Sequence, residues 1–486
     1  MRKCREIVFQ ILAVCVVIML SGCNLSRQKE TLRQGTAHLA GMENAVLRAN
    51  ADMSENIAAK EQDAAEGNKD SEPEITRFVK EVLKKTTKRL SGEYPVDDSF
   101  LLWLAGQYGR EILYSLQEAT CEEPQQMESW YEITGKSIHV LWIEYCRDTN
   151  VQESYLEKVY EKECSEKNKV VMDFTGDINL AEGWPTTQYL DGRSGGIRDC
   201  FSHELWEELQ SADILMINNE FTFSNRGTPL AGKAYTFRAD PARISEIQAI
   251  GTDIISLANN HVYDYGEEAL LDTLDTVEQA EIPYVGAGRN LQEAMKPAYF
   301  IANGRKIAIV SATQIERSTN YTREATDTTA GVLKTLNPDK FLSVIEKARA
   351  CSDYVIVFVH WGTENTNYYG SDQEELGRQF IDAGADVIIG GHTHCLQGFA
   401  YYNGKPIIYS LGNFWFNGRS IDTGLSQLVI YTDSNRLEFR FLPCKQRGCV
   451  TSLAGEEERA RILEFMQKIS SSGVSVGEDG IITEVP

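Results

Sequence analysis

The sequence has no dense stripe of lysine and arginine beyond Arg2, Lys3 and Arg5 and the short stretch from Lys80 to Arg89, while its formal net charge is −23. A nucleic-acid backbone is held by counter-charged side chains and finds little here to bind, so no nucleic-acid partner is expected. No Cys-x-x-Cys pair or zinc-finger spacing occurs, which disfavours metal binding through thiolates. No internal repeat of fixed period is present, and the apolar run Ile7 to Leu20 is too short for a comfortable membrane span. Histidine is scarce, with seven in 486 residues. What is present is ordinary for a globular protein: 42% hydrophobic and 24% charged residues, in a chain long enough for two domains plus tails.

The N-terminus reads as an export address. Basic Arg2, Lys3 and Arg5 precede the apolar run, which ends in Leu20-Ser21-Gly22-Cys23. That tetrapeptide resembles the site at which bacterial lipoproteins are cleaved before an acylated cysteine. The resemblance implies a signal peptide over 1–23, a lipid on Cys23, and a chain held at the extracytoplasmic face of the bacterial membrane. An uncleaved signal anchor is the alternative. With Cys4, Cys15 and Cys23 set aside, eight cysteines remain in a compartment that permits disulfides, and their pairing is not deducible.

Residues 24–74 are rich in Gln, Glu, Asn, Ala and Lys without a sustained apolar face and read as a flexible tether. Over 75–167 a small helical module is expected. Its first helix is marked by Ile75, Phe78, Val79, Val82, Leu83 and Leu90, and further stretches run Phe100 to Leu116, Trp130 to Tyr145 and Tyr155 to Tyr160. His139 lies in one of these apolar stretches and reads as structural. From Val170 onward short β-rich runs alternate with helical patterns, which predicts a layered α/β domain over 168–445, followed by a C-terminal extension over 446–486.

Five of the expected strands end in residues that bind metals. Val170 to Thr175 leads into Gly176-Asp177-Ile178-Asn179, and Ile214 to Ile217 into Asn218-Asn219-Glu220. Ile254 to Ala258 leads into Asn259-Asn260-His261 with Asp264 and Gly266, and Val355 to Val359 into His360-Trp361-Gly362 with Glu364. Val387 to Ile389 leads into Gly390-Gly391-His392-Thr393-His394. Loops at the carboxyl ends of strands converge over one crevice in α/β folds, so one shared site is expected. Carboxylate, amide oxygen and imidazole are the donors of hydrolytic metal centres. Taken singly, His360 reads as a structural histidine, Gly-Asp as a turn, and Asn259-Asn260-His261 as a helix-capping turn. The ordered combination is what points to a metal site.

In that order the motifs resemble the calcineurin-like metallophosphoesterase superfamily, and, with Tyr409-Ser410-Leu411-Gly412-Asn413-Phe414, the capsule-synthesis CapA family over about residues 168–445. The resemblance implies a four-layer α/β/β/α sandwich preceded by the helical module. It implies two divalent metals (Mn, Fe, Zn or Mg) held by Asp177, Asn179, Glu220, Asn260, His360, His392 and His394, with Asp177 bridging. His261 would be the proton donor, with Asp264 beside it as the second catalytic candidate. Asn179 stands where the superfamily has a histidine and Glu220 where it has an aspartate, so one metal position has lost an imidazole. The functions implied are capsule or poly-γ-glutamate assembly or export, with the capsule polymer or its synthase complex as partner. The alternatives are a phosphoesterase or amide hydrolase acting on another envelope substrate, and a non-catalytic scaffold.

Overall fold

A computed structural model describes residue 79 and residues 98–119, 126–149, 159–317 and 321–485. The expected signal peptide, Cys23, the tether and all of the first helix but Val79 lie outside the described residues. Among those described, no helix is long and apolar enough to cross a membrane.

Two sheets organise the α/β part. The larger is built around Lys169–Ile178, which pairs in parallel with Ile214–Asn219 and antiparallel with Ile421–Tyr431. The parallel run continues through Ile254–Ser256 to Tyr284–Val285, and the antiparallel run through Arg436–Arg447 to the hairpin Val474–Val476 and Ile481–Glu484. The smaller sheet has seven strands in the order Val159–Lys162, Ala298–Ala302, Arg305–Thr313, Tyr354–His360, Val387–Gly391, Lys405–Leu411, Leu396–Tyr402.

Side-chain alternation along these strands sets the packing. Val170, Met172, Phe174, Ile214 and Met216 of the larger sheet share one core with Ile307, Ile309, Ile356 and Phe358 of the smaller. The intervening residues face outward. Leu215 and Ile217 pack with Leu205 and Leu209 of the helix His203–Ser211 and with Leu270 and Leu274 of Glu267–Gln279. Val355, Val357 and Val359 pack with Phe341 and Val344 of Asp339–Ala350 and Phe380 of Ser371–Asp382. Strands covered on both faces read as continuous apolar runs, which is why the sequence marks them so clearly.

Buried polar groups on this scaffold that lack a partner include one carboxylate away from the strand ends that carry the candidate ligands. Asp173 is inaccessible, one carboxylate oxygen has no hydrogen-bond partner, and the other accepts from Gln427 Nε2 at 3.2 Å. Burial, then the neighbouring Glu208, pushes its pKa well above 3.8. The unfolded chain therefore releases this proton at lower pH than the native one, and stability falls as pH rises above the unfolded value. Asp173→Asn, which carries no charge to bury, is expected to raise stability at pH 7 by about 1.4 kcal/mol for each pH unit by which the native carboxyl titrates above the unfolded one, with the gain vanishing below about pH 4. Thermal melts at the two pH values check this, and an unchanged or lower midpoint at pH 7 contradicts it.

The helices Asp98–Tyr108, Glu111–Ala119, Gln126–Thr134 and Ile138–Thr149 enclose a separate core of Phe100, Leu104, Leu113, Trp130, Leu141 and Trp142. Ser137 ties them to the smaller sheet, its N–H donating to Gly304 O at 2.8 Å and its hydroxyl to Asp353 at 2.6 Å. His139 is buried here, its pKa pushed down to about 3 by burial and by Lys306, Arg349 and Arg305. Two boundaries differ from the sequence reading. Val159–Lys162, expected as the end of a helical stretch, is an edge strand parallel to Ala298–Ala302. Residues 446–486 are no appendage: Arg436–Arg447 runs across the expected boundary, and the helix Glu456–Ile469 buries Ile462, Leu463 and Met466 in the core between the sheets. Among the described residues, Cys164, Cys200, Cys395, Cys444 and Cys449 are free thiols.

Candidate metal centre

The carboxyl ends of the parallel strands of both sheets meet at one place, stitched together by glycines. After Lys405–Leu411 the chain leaves the smaller sheet at Gly412 (φ 66°), and Asn413–Trp415 pairs with the end of Lys169–Ile178 in the larger. Gly412 O accepts from Asp177 N at 2.9 Å. A Cβ on Gly176 would lie 2.0 Å from that same oxygen, so only glycine permits the approach. A Cβ on Gly391 would lie 2.9 Å from Asp177 Oδ1, which is how the third glycine-bearing loop comes down on the same carboxylate.

Around Asp177 the strand ends deliver the other side chains. Asn218 Nδ2 donates to Asp177 Oδ1 at 2.7 Å and lies 3.3 Å from His360 Nδ1, so one amide spans the two sheets. Asn259 Nδ2 donates to Asn218 Oδ1 at 3.1 Å and fixes that amide's orientation. His392 and His394 sit at φ 97° and 58°, a left-handed backbone uncommon outside glycine and typical of constrained functional loops. The turn brings His392 N–H to Asp177 Oδ2 (3.3 Å) and aims both imidazoles into the junction.

His360 Nε2 lies 2.8 Å from Asn260 Oδ1, 3.1 Å from His392 Nδ1 and 3.5 Å from Glu220 Oε1. One nitrogen thus faces three electron-rich atoms, and a single proton can satisfy only one of them. Burial holds the pKa of both His360 and His392 well below the ordinary value, so both rings are neutral and keep a lone pair. Glu220 is fully buried, and neither of its oxygens has a hydrogen-bond partner. Burial first, then the adjacent Asp177 carboxylate, raises its pKa well above the ordinary range. His394 Nδ1 lies 2.8 Å from Asn413 Oδ1 and 3.6 Å from Asp177 Oδ2. Burial lowers its pKa, but Asp177 and Asn413 more than offset that and leave it raised.

Two sets of donor atoms close enough to hold a metal ion result, Glu220 with His360 and His392, and Asp177 with Glu220 and His394. Asn260 Oδ1 adjoins the first through His360. The carboxylate common to both is Glu220, whereas the resemblance implies Asp177 in the bridging place. Asn179 Oδ1 accepts from Ala181 N at 2.7 Å in a local turn, which occupies one of its two lone pairs. The donor chemistry fits divalent cations, because the unpartnered Glu220 oxygens and the facing lone pairs of His360 and His392 lack a shared positive charge.

His261 stands at the margin of this cluster. Its Nδ1 is 2.7 Å from Asp264 Oδ2 and its Nε2 is 3.8 Å from Glu220 Oε1. Burial lowers its pKa, opposed by Asp264. Asp264 also accepts from Phe237 N at 2.6 Å and from Lys233 Nζ at 2.6 Å. Lys233 Nζ further reaches Asn260 O and lies 3.3 Å from Glu316 Oε1. Asn218, Lys233 and Asn413 are not marked as site residues by the sequence. Asn218 and Asn413 lie within strand-end motifs already noted, whereas Lys233 sits in an irregular loop with no local signal.

Beside His261 and His394 a cleft of about 680 Å³ opens, with Trp184, Tyr235, Phe237 and Phe416 on its wall and Glu364 and Arg419 at its edge. The Tyr409–Phe416 segment is part core and part cleft wall. Tyr409 and Trp415 are buried, while Asn413 and Phe416 line the cleft.

A family model described as bacterial capsule synthesis protein PGA_cap matches residues 171–418. The capsule biosynthesis protein CapA of Bacillus anthracis is 33% identical over 318 residues, covering 63% of this chain and 75% of that protein. The PGA biosynthesis protein CapA of Bacillus subtilis (strain 168) is 35% identical over 202 residues, 41% of this chain and 52% of that protein, so the chain spans about half the latter's length. A hypothetical protein of Thermus thermophilus, of known structure, is 16% identical with a TM-score of 0.36, covering 57% of this chain and 100% of that one.

Proposed function

Since the chain belongs to the bacterial capsule synthesis protein family, we propose that it serves the synthesis of a capsular polymer such as poly-γ-glutamate and does so as a metal-dependent hydrolase. The observation that carries the hydrolase reading is Glu220, whose two buried, unpartnered oxygens stand between two sets of imidazole and carboxylate donors. Two divalent cations held there would supply the positive charge that polarises a phosphoryl or acyl oxygen.

The chain's own residues supply the rest. Asp264 takes the Nδ1 proton of His261 in a hydrogen bond, which leaves Nε2 directed toward the metal ligands. Nε2 can then accept a proton from attacking water and return it to the leaving group. Asn218 and Asn259 hold Asp177 and His360 in register, and the aromatic wall excludes water from one side. Retention of His261 on a buried Asp264 and Lys233 favours an enzyme over a scaffold, because a scaffold has no use for an oriented proton carrier.

The test is metal analysis of the full chain purified without chelator, paired with assays on bis(4-nitrophenyl) phosphate and on a γ-glutamyl oligomer. Bound divalent metal with turnover of either substrate supports the reading. A folded, metal-free protein that turns over neither leaves the scaffold reading in its place.

We further propose that Cys23 carries the lipid that holds the chain at the outer face of the membrane. In a bacterial host, wild type is expected to take up radioactive palmitate and sediment with membranes. Cys23→Ala is expected to lose the label, and a label retained in that variant excludes the assignment.

A further inference from the structure

The cleft beside the metal centre has a composition that the hydrolase reading does not use. Tyr235 is 62% exposed and lies parallel to Phe237, with ring centroids 6.4 Å apart and planes 18° apart. Trp184 packs edge-on against both rings. Phe237 then meets the His261 ring at 4.5 Å, and Phe416 meets the His394 ring at 4.9 Å. A continuous aromatic face therefore runs from solvent to the two imidazoles nearest the cleft. On the loop after Glu364, whose Asn365 and Asn367 line the cleft, stands Tyr368, 67% exposed and the most exposed large apolar side chain among the described residues. Two exposed tyrosines thus stand on segments that border one cleft.

Charge narrows the occupant. Among the described lining residues, Arg419 is the one lysine or arginine, and Glu364 stands against it. A polyanion with one carboxylate per residue, or a nucleic-acid strand, needs a row of cations along its length, and beyond the metal centre this wall offers Arg419 alone, in a chain of net charge −23. A pyranose ring suits the wall better. It presents a face of polarised C–H bonds to the negative face of an aromatic ring, and its hydroxyls pair with carboxamides such as Asn365, Asn367 and Asn417. The geometry points to a saccharide chain as the substrate class of this site, with pyranose rings laid along Tyr235 and Trp184 and a phosphoryl or acyl group borne by the sugars directed toward His261 and His394. There water attacks the phosphorus or carbonyl carbon, and a sugar oxygen leaves with the proton that His261 returns. Arg419 is then placed to meet a single anionic substituent. This assignment takes the hydrolytic centre as its premise, but binding to the wall is measurable without turnover.

The experiment is calorimetric titration of the full chain, in a detergent without a sugar headgroup, with maltohexaose, chitohexaose and hexa-γ-glutamate, with metal content measured on the same samples. At least one neutral hexasaccharide is expected to bind more tightly than hexa-γ-glutamate. Tyr235→Ala, a surface change that leaves the fold intact, is expected to weaken that binding about ten-fold. No hexasaccharide binding at millimolar concentration, tighter binding of hexa-γ-glutamate, or an affinity indifferent to both Tyr235→Ala and Tyr368→Ala overturns the assignment. Sugar binding by wild type that holds no metal removes the hydrolase reading and leaves the saccharide wall, whereas metal without sugar binding does the reverse.

Discussion

Glu220→Gln is expected to empty both metal positions at once, whereas His392→Ala and His394→Ala each empty chiefly one. Glu220 is the residue that both donor sets share, while His392 belongs to one set and His394 to the other. Glutamine keeps the side chain's length and one acceptor oxygen, so packing is little altered, but it removes the negative charge that two adjacent cations require. Ligand loss of this kind costs metal affinity steeply, and a change even in groups that merely support the ligands costs about 10–100-fold. Elemental analysis by mass spectrometry on the purified full chain gives the answer. Wild type is expected to carry about two equivalents, the Glu220→Gln variant close to none, and each histidine variant about one. Two equivalents retained in Glu220→Gln would remove this carboxylate from the centre. Loss of both equivalents in either His392→Ala or His394→Ala would show that the donor sets are not independent positions.

The family resemblance puts Asp177 in the shared place, and the difference is physical. Asp177 is tied down by Asn218 Nδ2 and by the His392 amide, donors that already satisfy part of its capacity. Glu220, one methylene longer and one position beyond its strand, reaches the midpoint of the cluster with both oxygens bare. Sequence alone reports which residue types follow which strands. It does not report how far a side chain reaches, and reach decides which carboxylate is common.

The same distinction separates what was legible from what was not. The five β-rich runs that lead into metal-binding residue types are all strands, and the helices Glu267–Gln279 and Asp339–Ala350 fall where helical patterns alternate with them. These elements are covered on both faces or carry a continuous apolar stripe, so composition marks them. Ile421–Tyr431 and Arg436–Arg447 carry no such mark. Arg436–Arg447 alternates, with Phe439 and Phe441 buried on either side of half-exposed Arg440, while Ile421–Tyr431, buried from Thr423 to Ile430, breaks its apolar run with Thr423, Ser426 and Gln427. Val159–Lys162 reads Val-Tyr-Glu-Lys, too short to distinguish a strand from a helix end, and only pairing with Ala298–Ala302 decides it. At the site, residues that follow strands announced themselves through spacing. Residues that support them from loops, Lys233 above all, left no pattern, because a loop side chain's partner is set by tertiary folding alone. Asn179 fits the ligand pattern by position, and the local turn in which its oxygen accepts from Ala181 N is a second demand on it that spacing does not reveal.

His261→Ala is expected to lower kcat on an activated phosphodiester by about 10²–10⁴-fold while leaving metal content unchanged. Its imidazole is 3.8 Å from Glu220 and belongs to neither donor set, so removing it takes away a proton carrier and no ligand. Asp264→Asn is expected to come close to the same loss. Asp264 Oδ2 serves both Phe237 N–H and His261 Nδ1, and Oδ1 receives the Lys233 ammonium. An asparagine must place its NH₂ group against either a backbone donor or an ammonium, so the carboxamide cannot satisfy all three partners and the imidazole loses its fixed tautomer. Lys233→Met acts through a different atom. It frees Asp264 on one side and also releases the Asn260 carbonyl, whose side chain faces His360, so it is expected to weaken metal binding as well as turnover. The three variants therefore separate by readout: turnover alone for His261 and Asp264, turnover with metal for Lys233. Full turnover in metal-replete His261→Ala would take the imidazole out of the chemistry and leave the Lys233–Asp264–His261 chain as a structural brace for the Asn260 loop.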